Sequence, residues 1–168
     1  MLGDSAQFTQ QKTSFQIKST DKRLVVSTRF YGIFNVASRI WTVRDWAKQA
    51  GVHLVGSPGC VFASDDGDPH QTLCEVQWGL AGPQISTEGE ISVRWLAPRL
   101  VLVAYHRGDG LHTTIQALQS WGRANGYPTT GERREIYHAG TKTPARERLT
   151  EIQLYVDVGG CRDAHIAV

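Results

Sequence analysis

The chain repeats itself. Arg23-Leu24-Val25 returns as Arg99-Leu100-Val101, and Glu75-Val76-Gln77 returns as Glu151-Ile152-Gln153, each 76 residues further on. Between these anchors Trp46 matches Trp121, Gly51 matches Gly126, Gly56 matches Gly131 and Phe62 matches Tyr137, all at a spacing of 75. So many matches in one order, with a drift of a single residue, mark a duplicated unit. Both copies must then adopt one architecture, and together they must cover surface that a lone copy leaves bare.

Each copy reads as strand, helix, strand, strand, preceded by an extra extended segment. In the first, residues 15–17 begin that segment. Residues 23–34 (RLVVSTRFYGIF) are β-branched and aromatic, as a strand requires. Val36, Ile40, Val43, Ala47 and Ala50 then recur at helical spacing, with Asn35 or Ser38 as cap and Gly51 as stop. Residues 56–59 (GSPG) read as a turn, 60–63 as a short strand, 65–70 as a loop and 72–80 as a strand. In the second copy, 89–96 and 99–106 read as strands, 111–125 as a helix, 127–131 as a turn, and 135–138 and 150–158 as strands.

One helix per copy covers one sheet face, and the β-α-β-α alternation of a parallel sheet is missing. The expected class is α+β. Duplicated β-α-β-β units with pseudo-twofold symmetry form one antiparallel sheet with both helices on one side, its open face curving into a central ligand cleft between the halves. Residues 1–13 read as a flexible tail and 14–168 as a single domain, with half-repeats at about 14–82 and 89–158.

Composition excludes more than it assigns. A net charge of +2 in 168 residues is too small for a nucleic-acid surface, and the arginines of 133–148 are interrupted by acids. No apolar run approaches the roughly 20 residues of a membrane span. The first residues lack the order of a signal peptide. Cys60, Cys74 and Cys161, odd in number and without a CxxC, read as free thiols in a reducing compartment, so a cytoplasmic location is expected.

The chemistry concentrates at Glu135 and Tyr137, two residues apart on one strand face. A buried carboxylate without a partner is costly, so it selects a cation that neutralises it. Its repeat mate is Cys60, which leaves the acid in one half only. Aromatic faces attract organic cations; Phe62 and Tyr137 would flank the acid, and Tyr155, Trp95, Phe30 and His106 are further wall candidates. Trp46 and Trp121 read as helix-on-sheet packing, and Trp78 shares the layer of its mate Leu154. His106, His112 and Asp109 fit no zinc spacing, so no metal and no cofactor is expected. Cys60 and His138 could pair as nucleophile and base, but nothing in the sequence brings them together.

Trp121-Gly-Arg-Ala-Asn125-Gly126, Gly131, Arg134-Glu135-Ile136-Tyr137 and Thr150-Glu151-Ile152-Gln153 carry a resemblance. The chain resembles the GyrI-like small-molecule-binding domains, the effector-binding domains of AraC- and BmrR-type multidrug regulators, in a stand-alone form. The match is strongest over 89–158 and covers roughly 14–158. The resemblance implies a duplicated β-α-β-β fold whose cleft takes lipophilic, often cationic, compounds, with the cleft acid at Glu135. It also implies two alternatives. One is hydrolysis of strained, cyclopropane-type electrophiles by the same glutamate, with no other catalytic residue assigned. The other is a gyrase-inhibitor-like protein-binding role. The expected partners are therefore lipophilic cations, with a homodimer allowed and neither DNA nor membrane engaged directly.

Overall fold

The structure is a computed structural model that describes residues 14–64, 67–87, 89–140 and 142–159; the expected tail at 1–13 and Cys161 lie outside them. In chain order the elements are β1 (Gln16–Ser19), β2 (Arg23–Tyr31), α1 (Val36–Ala50), β3 (His53–Phe62), β4 (Leu73–Ala81), β5 (Ile91–Leu96), β6 (Leu100–Arg107), α2 (Leu111–Ala124), β7 (Thr129–Tyr137) and β8 (Leu149–Val156). The strands form one antiparallel eight-stranded sheet in the order β1-β6-β8-β7-β3-β4-β2-β5. The fold is α+β, and the copies β2-α1-β3-β4 and β6-α2-β7-β8 meet along β3 and β7.

The extra segments change places. β1 precedes β2 in the chain but pairs with β6, while β5 precedes β6 but pairs with β2. Each copy therefore closes its outer edge with a strand donated from the other's side. Local sequence cannot announce such a pairing, because it links residues 63–87 apart (Thr28 to Ile91, Gln16 to Val103).

Gly56-Ser-Pro-Gly59 is not a turn between strands. It is a bulge inside β3, where the register slips between Val55 and Gly59. β7 slips likewise between Thr129 and Arg133. Gly56 (φ 70°) and Gly131 (φ 91°) adopt left-handed backbone that a side chain would strain. The turn and bulge readings share the same glycines, which is why the sequence suggested a turn. Trp78 Nε1 fixes the first bulge by donating to the Gly56 carbonyl at 3.0 Å.

Both helices lie on one face. α1 sets Val43 against Leu24, Val26, Cys60, Phe62, Val76 and Val93. α2 sets Ile115 and Leu118 against Leu102, Ala104, Ile152 and Leu154. Paired residues in an antiparallel ladder share a face, and Val76, Cys60, Glu135, Ile152 and Ala104 form one continuous cross-strand row joining the two cores. Trp46 and Trp121 pack against these cores, and Trp78 lies on the same layer as Leu154.

The other face is polar at its centre, and a buried glutamate held by its neighbours recurs in each copy. Glu75 accepts from Arg29 (2.9 Å), Arg94 and Gln77 (3.2 Å). Its mate Glu151 accepts from Lys18 (2.8 Å), Gln153 (2.8 Å) and His138 (3.1 Å). Arg94 and Lys18 arrive on the exchanged strands β5 and β1. Desolvation works against ionisation of both buried acids, but the bonds from Arg29 and Lys18 and the nearby charges outweigh it and hold both below the ordinary glutamate value of 4.5. Carboxyls that are more acidic folded than unfolded add stability that is complete above that value and lost as pH falls through the lower folded ones. Thermal unfolding midpoints should therefore drop as pH is lowered below about 4.5, and Glu75→Gln should flatten the drop. A midpoint equally acid-sensitive in that variant would remove Glu75 from the account.

Candidate functional site

Glu135 sits at the centre of the molecule. β7 brings it to the seam, where it pairs directly with Cys60 of β3, and it is 6% exposed. The row next to it pairs Arg133 with Phe62. Alternation along β7 puts Arg133, Glu135 and Tyr137 on one side, and the pairing partners show that this is the helix face. The expected groove on the open face is therefore not where the acid lies. Period-two alternation ties Glu135 to Tyr137 but does not say which layer covers them.

The carboxylate is also not unpaired. Arg133 Nε donates to Glu135 Oε1 at 2.8 Å, and Tyr137 Oη donates to Oε2 at 3.0 Å. The Arg133 guanidinium carbon lies 4.3 Å from the centre of the Phe62 ring. Arginine thus meets both a carboxylate and an aromatic face, with only 14% of its side chain exposed. In the sequence this partner stands two residues from Glu135, among the acid-interrupted arginines of 133–148. Burial first, then the Glu135 charge, pushes the Tyr137 phenol well above its ordinary range, so it remains a proton donor. Burial, with the Cys74 and Glu135 charges behind it, likewise drives the Cys60 thiol up and keeps it neutral.

A cavity of about 80 Å³ adjoins the pair, lined by Phe62, Arg133, Ile33, Pro69 and Thr72 among others. Small-molecule sites run from about 300 Å³ upward. The site as it stands is closed around its own arginine.

The other candidates separate. Phe30 shares the helix face but is core, 6% exposed and two strands from β3. His106 also faces the helices, where Thr114 Oγ1 and the Asp109 carbonyl, each at 2.8 Å, occupy its two nitrogens. Trp95 is 49% exposed on edge strand β5, four strands from β7 and so about 19 Å away at normal strand spacing. Tyr155 lies on the opposite face with Val101 and Val103, under the Arg99 guanidinium at 3.8 Å. Glu135, Tyr137 and Phe62 are brought together; Phe30, His106, Trp95 and Tyr155 are not. Cys60 and His138 are also parted: Cys60 faces the helices, and the imidazole's bonds run to Ser57 and to Glu151 on the other face.

No protein-family model matches the chain, and no curated protein matches it. Solved structures do. EcmrR, in the EcmrR-DNA complex of EcmrR-RPo, superposes with a TM-score of 0.76 at 22% identity, over 86% of this chain and 57% of that one. The chain thus spans little more than half the length of that neighbour. It matches the isolated EcmrR C-terminal domain over 87% of its own length and 98% of that domain, with a TM-score of 0.75. A hydrolase encoded by lin2189 from Listeria innocua follows at 0.65 and 11% identity, over 85% of this chain and 91% of the other. SAV2435 bound to tetraphenylphosphonium follows at 0.51 and 15%, over 90% and 99%.

Proposed function

We propose that this chain, which has the fold of the GyrI-like effector-binding domains, binds lipophilic organic cations between its two helices, above the seam of β3 and β7. The observation that carries this reading is the Arg133 guanidinium, held between the Glu135 carboxylate and the Phe62 ring. A carboxylate at one end and an aromatic face at the other are the contacts an organic cation seeks. Arg133 occupies them in the closed state, and an arriving cation takes its place. Tyr137 steadies the acid from the far side. The neighbour SAV2435, seen with tetraphenylphosphonium, is an instance of the same fold holding a lipophilic cation.

Hydrolysis by Glu135 is the weaker reading. Both of its oxygens already accept hydrogen bonds, from Arg133 and from the Tyr137 phenol. A general base must instead be free to take a proton from water.

The test compares a cationic aromatic dye with its neutral isostere on wild type and on Glu135→Gln. Wild type should prefer the cation by roughly tenfold or more, about 1.4 kcal/mol, and the variant should lose that preference while still binding the neutral dye. An undiminished preference in Glu135→Gln would remove the acid from the site.

A further inference from the structure

The two copies of the polar face differ in one respect. In the first, the oxygens of Glu75 are held by Arg29 and Arg94, which are permanently charged. In the second, the repeat mate of Arg29 is Tyr105, and the oxygen facing it is bonded by His138 instead. His138 Nε2 lies 3.1 Å from Glu151 Oε2, and its Nδ1 lies 3.1 Å from Ser57 Oγ. Glu151 is 5% exposed and accepts a charge-assisted bond from Lys18, so it acts only as an acceptor. The proton between them is therefore on Nε2. In the neutral imidazole Nδ1 then carries the lone pair, and the serine hydroxyl donates to it. An alcohol, an imidazole base and a buried carboxylate that sets the tautomer stand in line.

The chain of groups is graded in exposure as such a device requires. The carboxylate is buried, 32% of the imidazole side chain is open, and the serine is half-buried on the Gly56–Gly59 bulge. The bulge takes Gly56, Ser57 and Pro58 out of register with β4. A bulge re-aims a side chain. Tyr105, 44% exposed, rests its ring 6.3 Å from that of His138 and walls the site. On the same face Arg134 lies over Gly59, with Nε and Nη1 lacking a hydrogen-bond partner among the described residues. The matched positions of the other half hold Glu132 for Ser57 and Ala63 for His138, so the arrangement occurs once and is not a product of the repeat.

We infer that Ser57, His138 and Glu151 form a second site, on the face opposite Glu135, in which Ser57 Oγ attacks the carbonyl of small activated acyl esters. Oγ bonds to the acyl carbon, and the hydroxyl proton passes to His138 Nδ1. The alkoxide leaving group departs with the bonding pair and takes that proton. Water then adds to the acyl-serine, gives its proton to the same nitrogen, and the acid is released as Ser57 regains its hydrogen. Glu151 is a positioning residue throughout.

The experiment treats the full chain with a fluorophosphonate, which loses fluoride as a serine Oγ–phosphorus bond forms, and maps the adduct by mass. One equivalent on Ser57 is expected, with none in Ser57→Ala. A general base contributes about 10²–10⁴-fold, so p-nitrophenyl acetate hydrolysis should fall at least a hundredfold in His138→Gln. Glu151→Gln should lower kcat with little change in KM. An adduct elsewhere, no adduct, or a Ser57→Ala variant that hydrolyses the ester at the wild-type rate would overturn the assignment. Glu135→Gln should leave labelling intact and Ser57→Ala should leave dye binding intact, so failure of one site is separable from failure of the other.

Discussion

Gly122→Val is expected to cost roughly 3 kcal/mol or more of folding stability, the upper end of overpacking, and to lower the thermal midpoint by roughly 6–12 °C in a domain of this size. A Cβ on Gly122 would come within 2.2 Å of Leu102 Cδ1 and 2.9 Å of the Tyr127 carbonyl oxygen. Neither neighbour has room to retreat: Leu102 is fully buried in the α2 core, and Tyr127 donates its own N–H back to the Gly122 carbonyl at 2.8 Å. The repeat shows how the volume is shared. The matched helix position in the first half is Ala47 and the matched strand position is Val26, so one half has alanine and valine where the other has glycine and leucine. One methyl group has moved from helix to strand, with total volume conserved. Gly122→Ala with Leu102→Val should then recover most of what Gly122→Ala loses alone, giving a coupling energy of 1 kcal/mol or more. Calorimetry on the singles and the double decides the matter; strictly additive losses would mean the two sites do not share that space.

The same repeat explains what could be read ahead of the structure. Duplication, helix positions, the antiparallel class and the shared layer of Trp78 and Leu154 all follow from periodicity within each copy. Three things do not. The exchange of β1 and β5 depends on long-range pairing that leaves no local mark. The bulges carry the same glycines as turns, and only pairing on both sides separates the two. The face of Glu135 depends on where the helices land, and a period of two fixes relative sides only. Residues gathered by aromatic character, Trp95 and Tyr155 among them, fell on an edge strand and on the far face for that reason. Ser57, His138 and Glu151 left no motif, since the separations of 81 and 13 residues that join them are set by the sheet register.

Glu135 and Cys60 face each other at matched positions, and the asymmetry between them has a sharper meaning once Arg133 is seen. Arg133 has proline as its mate, Pro58, so the half that carries the acid also carries the cation that neutralises it. The buried acid is neutralised because the arginine is there, and on the proposed function a ligand must better that arginine to enter. Arg133→Gln tests this directly. Removing one partner of a buried ion pair costs about 3–5 kcal/mol, and somewhat less here, where 14% of the arginine side chain meets solvent. Without ligand the variant should therefore melt several degrees below wild type. With a lipophilic cation present the loss should reverse: Glu135 and Phe62 are then free to receive it, affinity should rise by roughly tenfold, and the ligand-induced rise in midpoint should exceed that of wild type. The neutral isostere should bind both proteins alike. Should the variant bind the cation no better than wild type does, Arg133 would be a structural partner of Glu135 alone, and the cation would have to enter elsewhere.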